Sequence, residues 1–116
     1  MTVRIYHNPR CSKSRQTLAL LQERGIELEV VEYLKTPPSE AQLSDIIASL
    51  GLGTARDLMR KKEAEYKDLN LADENLTEAQ LVQAMVNHPR LIERPIVIND
   101  GKAAIGRPPE NVLDIL

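Results

Sequence analysis

The sequence predicts an α/β fold with a mixed four-stranded sheet. Three observations support this prediction: a strand–helix–strand pattern over residues 2–34, a helical middle, and a hairpin pattern followed by a helix at the end. The chain has 116 residues, of which 42% are hydrophobic and 28% are charged. This length and composition are typical of one globular domain, so we expect a single domain over residues 1–116.

The N-terminal pattern consists of a strand, a helix and a second strand. The strands are predicted over Thr2–His7 and Glu27–Leu34, and the helix between them over Ser12–Arg24, with Gly25 at its C-terminal end. Two strands joined by a helix in this way are parallel, with a right-handed crossover. Thr36–Pro38 ends this βαβ unit.

The middle of the chain is predicted to be a helical insertion over about residues 39–90. Ser39–Gln42 and Thr77–Gln80 both match the capping box, which marks the N-terminus of a helix. Short helices are predicted between them, over Thr54–Arg60 and Glu63–Leu69, on a charged surface.

A β-hairpin and a final helix are predicted at the C-terminal end. Ile96–Ile98 and Ala103–Ile105 flank Asp100-Gly101, a dipeptide typical of tight hairpin turns, so these strands are antiparallel. The final helix is predicted over Glu110–Leu116. The order βαβ, helices, ββα is that of the thioredoxin-like fold, which places a redox thiol at the N-terminus of its first helix.

Composition and charge exclude several classes of function. The net charge of -2 gives no general attraction to nucleic acid or to an anionic membrane. No apolar run approaches the roughly 20 residues that span a bilayer, and the N-terminus lacks a signal-peptide pattern. One cysteine rules out an internal disulfide, and with two distant histidines it disfavours a metal site. We therefore expect a cytoplasmic protein without a metal, and with no nucleic acid or membrane as partner.

The only cysteine, Cys11, lies between the first predicted strand and the first predicted helix. The free N–H groups in the first turn of a helix favour an anion. Three cationic side chains and one histidine flank the cysteine, namely Arg10, Lys13, Arg15 and His7. Together these features favour the nucleophilic thiolate. The alternative is a buried cysteine that packs as a small hydrophobic residue.

The residues that follow the cysteine form a Cys-x-x-Ser motif, Cys11–Ser14. Without a second cysteine the protein cannot resolve its own mixed disulfide, so a redox cycle requires an external thiol. A Cys-x5-Arg phosphate loop of the phosphatase type is absent, because Thr17 occupies the position of its arginine.

Three arginines, Arg60, Arg94 and Arg107, are candidates for binding an oxyanion. A guanidinium donates two parallel hydrogen bonds and stays charged, which suits a tetrahedral oxyanion. The alternative for each is a solvated surface residue, and spacing alone does not select these three among the nine arginines. His7 is a candidate for orienting or charging the thiolate, and its alternative is a partly buried histidine bonded to backbone.

The chain contains several short motifs spread over its length: Tyr6–Arg15, Tyr33-Leu34 with Pro37-Pro38, Arg56–Arg60, Tyr66–Leu71, Glu93–Val97 and Gly106–Pro108. Together they resemble the glutaredoxin-coupled arsenate reductase (ArsC) family, and within it the short YfgD-like branch. The similarity covers essentially the whole chain.

The resemblance implies a thioredoxin-like fold and a reaction that the residues can support. Cys11 would attack arsenate, and Arg60, Arg94 and Arg107 would bind the oxyanion and then the arseno-cysteine. Glutathione, as a co-substrate, and glutaredoxin would then release arsenite, without a bound cofactor.

The resemblance also concerns the surroundings of the nucleophile. His7, Ser14 and Arg15 match residues that lower its pKa, and Pro95 matches the cis-proline of the fold. The chain departs from the plasmid-type reductases, which read Cys-Gly-Thr-Ser-Arg where residues 11–15 read Cys-Ser-Lys-Ser-Arg. This departure keeps a second hypothesis open, a monothiol thioredoxin-like redox adaptor or regulator without arsenate reductase activity.

Overall fold

The computed structural model describes residues 3–116, so the predicted start of the first strand at Thr2 lies outside the described residues. The strands are β1 (Val3–His7), β2 (Leu28–Glu32), β3 (Ile96–Asn99) and β4 (Lys102–Ile105). The α-helices are α1 (Ser12–Glu23), α2 (Glu40–Leu50), α3 (Ala64–Asp68) and α4 (Glu78–Asn87). Segments of 3₁₀ helix cover Ala55–Leu58, Pro89–Leu91 and Pro109–Ile115. Within residues 3–116, no helix is long and apolar enough to cross a membrane.

The strands form one sheet in the order β2-β1-β3-β4. β1 and β2 are parallel, as expected for strands joined through a helix. β1 and β3 are antiparallel, with Ile5 opposite Val97, and β3 and β4 are antiparallel, with Ile96 opposite Ile105. The predicted mixed four-stranded sheet is therefore confirmed.

The hydrophobic core beside this sheet explains how α1 is held in place. Its buried members are Val3, Ile5, Leu21, Val97 and Val112. Leu21 comes from α1 and Val112 from the C-terminal 3₁₀ helix, so both elements pack against sheet residues. Burying one such side chain stabilises the fold by about 1.5–3 kcal/mol, and the burial of Leu21 anchors α1 against the sheet.

The chain divides into two units. The first comprises the residues up to Thr36 together with Arg94–Leu116, and it contains the sheet, α1 and the last 3₁₀ helix. The second is Pro37–Glu93, which contains α2, α3 and α4, and the helical insertion predicted over residues 39–90 falls within it. The single domain predicted over residues 1–116 stays a prediction.

Both predicted capping boxes are present in the second unit. Ser39 Oγ accepts a hydrogen bond from the Gln42 backbone N–H at 3.1 Å, and Thr77 Oγ1 accepts one from the Gln80 N–H at 3.2 Å. Each glutamine side chain in turn accepts a hydrogen bond from the backbone N–H of the capping residue. Two donors that the helix leaves free are thereby satisfied at the start of α2 and of α4.

Strand β2 ends at Glu32, two residues before the predicted end at Leu34. The carbonyl oxygen of Glu32 accepts hydrogen bonds from the N–H groups of Lys35 and Thr36, both at 3.0 Å. These bonds close a turn, and the turn takes the chain out of the strand.

Two predicted helices form as 3₁₀ segments. The segment predicted over Thr54–Arg60 is a 3₁₀ helix over Ala55–Leu58, because Met59 is extended and forms a β-bridge with Ile92. The final helix is also 3₁₀, and the Asn99 side chain donates to the Ile115 carbonyl oxygen at 2.8 Å near its end.

Candidate active site

Cys11 is the N-cap residue of α1, at the point where the chain passes from a turn into the helix. Its own backbone is extended, with φ −94° and ψ 124°. The Cys11 N–H donates to the Asn8 carbonyl oxygen at 3.0 Å, and the Arg15 N–H donates to the Cys11 carbonyl oxygen at 3.0 Å. The half-buried thiol therefore lies at the positive end of the helix dipole, as its place in the sequence predicts.

Two arginines that flank the C-terminal hairpin, one before β3 and one after β4, contact this thiol. Arg107 Nη2 lies 3.5 Å from Cys11 Sγ, and the Arg94 side chain also hydrogen-bonds to the thiol. Arg107 Nε donates to the Arg94 carbonyl oxygen at 2.8 Å, which ties the two arginines to each other. The structure thus brings together Cys11, Arg94 and Arg107, although 96 positions separate the first from the last.

The surroundings of Cys11 lower its pKa below the ordinary value for a cysteine. Burial is the largest single influence and raises the pKa, because it disfavours the charged form. The backbone N–H of Ser14, the hydrogen bond from Arg94 and the charges of Arg94 and Arg107 act in the opposite direction and together outweigh burial. These groups favour the thiolate, the nucleophilic form of the residue.

Ser14 and His7 form a buried pair beside the thiol. Ser14 Oγ lies 2.7 Å from His7 Nδ1 and accepts a hydrogen bond from the Asn8 N–H at 3.0 Å. Burial lowers the pKa of His7, a nearby Glu32 raises it, Arg15 lowers it, and the net shift is downward. A lowered pKa favours the neutral form of His7 at pH 7, and its contact with Ser14 Oγ places the imidazole against the first turn of α1.

The side chain of Arg15 braces the turn before the helix. Its Nη1 donates to the Pro9 carbonyl oxygen at 3.0 Å. The Arg10 N–H donates to Asn8 Oδ1 at 3.0 Å within the same turn. The hydrogen bonds from the Arg15 side chain and from the Arg10 N–H therefore restrain the turn that leads into Cys11.

Arg60 belongs to the second unit. Its backbone N–H donates to the Leu91 carbonyl oxygen at 2.7 Å. Its guanidinium forms ion pairs with Glu63 at 3.3 Å and with Glu93 at 3.4 Å, and Glu63 is also paired with Arg90 at 3.5 Å. The role of Arg60 as an oxyanion ligand stays a prediction that rests on the family resemblance.

Two buried residues of the first unit, Thr17 and Gly106, lie beside the site although the sequence did not predict a role for them there. Thr17 Oγ1 donates to the Lys13 carbonyl oxygen at 2.8 Å, and the Gly106 N–H donates to the Pro95 carbonyl oxygen at 3.0 Å. One feature of the sequence pointed weakly to this contact, namely the glycine immediately before Arg107. The Arg94–Pro95 peptide is cis, as the resemblance implies, and the peptide that follows Arg107 is cis as well.

Side chains that bind metals are not grouped in this part of the chain or elsewhere in residues 3–116. Across that range no set of three or more histidine, cysteine, aspartate or glutamate residues is placed to hold a metal ion.

Known proteins are similar to this chain over almost its whole length. The profile described as the ArsC family matches residues 6–115. The uncharacterized protein YfgD of Escherichia coli strain K12 is 62% identical over 114 residues, which covers 98% of this chain and 96% of YfgD. An arsenate reductase of Neisseria meningitidis serogroup A is 54% identical over 114 residues, which covers 98% of this chain and 97% of that protein.

Solved structures show the same fold. The arsenate reductase from Vibrio cholerae superposes with a TM-score of 0.97 at 55% identity, over 100% of this chain and 98% of that chain. The architecture is thioredoxin-like, as predicted from the order of the elements. Because the family profile extends over almost all of its length, the chain belongs to the ArsC family.

Proposed function

We propose that this protein is an arsenate reductase that reduces arsenate to arsenite through the Cys11 thiolate, with glutathione and glutaredoxin as external reductants. One observation carries the proposal: Arg107 Nη2 lies 3.5 Å from Cys11 Sγ, and Arg94 hydrogen-bonds to the same sulfur. Two guanidinium groups beside a thiolate provide donors and positive charge for a tetrahedral oxyanion. The relatives that are named arsenate reductases support the choice of substrate.

The first step is attack of Cys11 on arsenate. The thiolate donates its electron pair to arsenic, an arsenic–oxygen bond breaks, and that oxygen leaves as water after protonation. Arsenic stays in the +5 state in the resulting arseno-cysteine. Arg94 and Arg107 donate to the remaining oxygens, and Arg60 is the third oxyanion ligand by the family resemblance.

The following steps use external thiols, because Cys11 is the only cysteine in the chain. The thiol of glutathione displaces a second oxygen from arsenic as water. A glutaredoxin thiolate then attacks the glutathione sulfur, and the electron pair of the sulfur–arsenic bond stays on arsenic, which becomes +3. Hydrolysis of the bond to Cys11 releases arsenite and restores the thiol. We place this reaction in the cytoplasm, where thiols are kept reduced.

Glutaredoxin-coupled turnover of arsenate tests the proposal. Cys11→Ser should abolish turnover, since it removes the nucleophile. Arg94→Ala, Arg107→Ala and Arg60→Ala should each lower kcat/KM by about 10- to 100-fold, the effect of losing a hydrogen bond to a charged group. The matched control is Arg24→Ala, which removes the same charge roughly 20 Å along α1 and should leave kcat/KM unchanged.

The outcomes separate the two hypotheses. Wild-type kcat/KM in both Arg94→Ala and Arg107→Ala would contradict the proposed oxyanion site. Background turnover by the wild-type protein, combined with partner binding that changes when Cys11 is oxidised, would instead support a monothiol redox adaptor or regulator.

A further inference from the structure

Gly106 lies where the backbone that precedes Arg107 touches helix α1. A Cβ atom at this position would overlap Thr17 Oγ1, and it would lie 2.8 Å from Pro95 Cγ and 3.1 Å from Thr17 Cγ2. A proline ring and a β-branched side chain have little freedom to move aside. Only a glycine therefore lets the chain approach α1 this closely.

The same short segment is bonded to the two arginines of the site. The Gly106 N–H donates to the Pro95 carbonyl oxygen at 3.0 Å, and the next residue, Arg107, donates from Nε to the Arg94 carbonyl oxygen at 2.8 Å. The first bond continues the backbone pairing of β3 and β4 by one residue pair beyond the strands, and the second joins the Arg107 side chain to the backbone of Arg94. A shift of Gly106 would therefore move both arginines together.

On the helix side, Thr17 is linked to the first turn of α1. It is fully buried, and its Oγ1 donates to the Lys13 carbonyl oxygen one turn nearer to Cys11. The contact between Thr17 and Gly106 therefore joins the helix that presents the thiol to the strand end that presents the arginines.

We propose that Gly106 and Thr17 are positioning residues, and that the contact between them sets the distance from Cys11 to the Arg94 and Arg107 side chains. The separation of 3.5 Å between Arg107 Nη2 and Cys11 Sγ is a hydrogen-bonding distance for a sulfur acceptor, so a displacement of the strand end away from α1 would weaken this contact. The expected change in the pKa of Cys11 depends on this geometry alone. The consequence for turnover rests also on the proposed function.

The direct test is the pH dependence of the alkylation of Cys11 by iodoacetamide. Gly106→Ala should raise the pKa of Cys11 by about half a unit to one unit, which slows alkylation below that pKa about three- to tenfold. Gly53→Ala is the matched control, because a Cβ there meets nothing within 4 Å, and it should alkylate like the wild-type protein.

Substitutions at Thr17 examine the same contact from the other side. Thr17→Val keeps the branched shape of the side chain but removes the hydroxyl that donates to the Lys13 carbonyl oxygen, so it should raise the pKa of Cys11 less than Gly106→Ala does. Thr17→Ile adds bulk toward Gly106 and should raise it. In the double variant Thr17→Ala/Gly106→Ala two of the three close contacts are removed, so alkylation should recover part of the way to the wild-type rate.

A folded Gly106→Ala variant with the wild-type alkylation profile would overturn the inference. If circular dichroism shows that Gly106→Ala does not fold, then Thr17→Ile and the double variant decide, and wild-type profiles in both would overturn it. A raised pKa in these variants, with no arsenate turnover even by the wild-type protein, would uphold the positioning role and reject the proposed function.

Discussion

The Ser14 hydroxyl group contacts two buried groups, the Asn8 backbone N–H and the His7 imidazole. Its Oγ accepts from the Asn8 N–H and lies 2.7 Å from His7 Nδ1. Ser14→Ala leaves both groups buried without this partner, so the free energy of unfolding should fall by about 1–3 kcal/mol for each group that stays unsatisfied. Urea denaturation measures this change.

The control for that substitution is Ser12→Ala, at an exposed position in the same turn of α1. It should change the free energy of unfolding by less than about 0.5 kcal/mol. Equal effects of Ser12→Ala and Ser14→Ala would show that the buried pair with His7 contributes nothing to stability.

The pKa of His7 should make part of the stability depend on pH. Because burial lowers this pKa in the folded state, the unfolded chain binds a proton first as the pH falls below about 6.5. The stabilisation that depends on neutral His7 is therefore present above that pH and is lost as the pH falls toward the folded-state pKa. The difference in unfolding free energy between wild type and His7→Gln should shrink from pH 7 to pH 5, and a constant difference would contradict this assignment.

The place of Cys11 at the N-terminus of a helix could be predicted from its neighbours in the sequence, but the identity of its arginine partners could not. The helix terminus is a local feature, visible in residues 7–15. Arg94 and Arg107 reach the thiol because β3 pairs with β1 and β4 pairs with β3, and strand pairing is not encoded in the spacing of arginines. The family resemblance, rather than the spacing, singled them out.

At the scale of the elements, the capping boxes should account for a measurable share of the stability of the second unit. Ser39→Ala and Thr77→Ala should each lower the free energy of unfolding by about 1 kcal/mol, since each removes the side-chain acceptor of a helix N-terminus. Ser44→Ala, at an exposed position inside α2, should cause no loss. Chemical denaturation of the three variants checks this, and losses no larger than that of Ser44→Ala would contradict it.

Elements defined by local chemistry were predicted well. Asp100 and Gly101 both adopt positive φ, 50° and 78°, as the tight turn of a hairpin requires. The 3₁₀ segments Ala55–Leu58 and Pro109–Ile115 were predicted as helices without their type, because one or two turns of apolar spacing do not distinguish a 3₁₀ helix from an α-helix. Their bounds depend on contacts such as the Met59–Ile92 bridge, which involve residues distant in sequence.

At the scale of the whole molecule, the sheet topology follows from two constraints on connections. A helical crossover makes β1 and β2 parallel, and a two-residue turn makes β3 and β4 antiparallel. The close approach of Gly106 to Thr17 could not be foreseen, since it arises only when the folded hairpin and α1 meet. Arg60 lies in the second unit, and its contribution to the reaction rests on the family resemblance.

The central claim is that Cys11 is a thiolate held for attack on an oxyanion. Its most direct test is the thiolate absorbance of the wild-type protein as a function of pH, recorded with and without arsenate. We expect a pKa well below the roughly 8.5 of a free cysteine, and loss of the thiolate signal when arsenate is added and the sulfur–arsenic bond forms. A pKa at or above the ordinary value, with a signal that arsenate leaves unchanged, would contradict the claim.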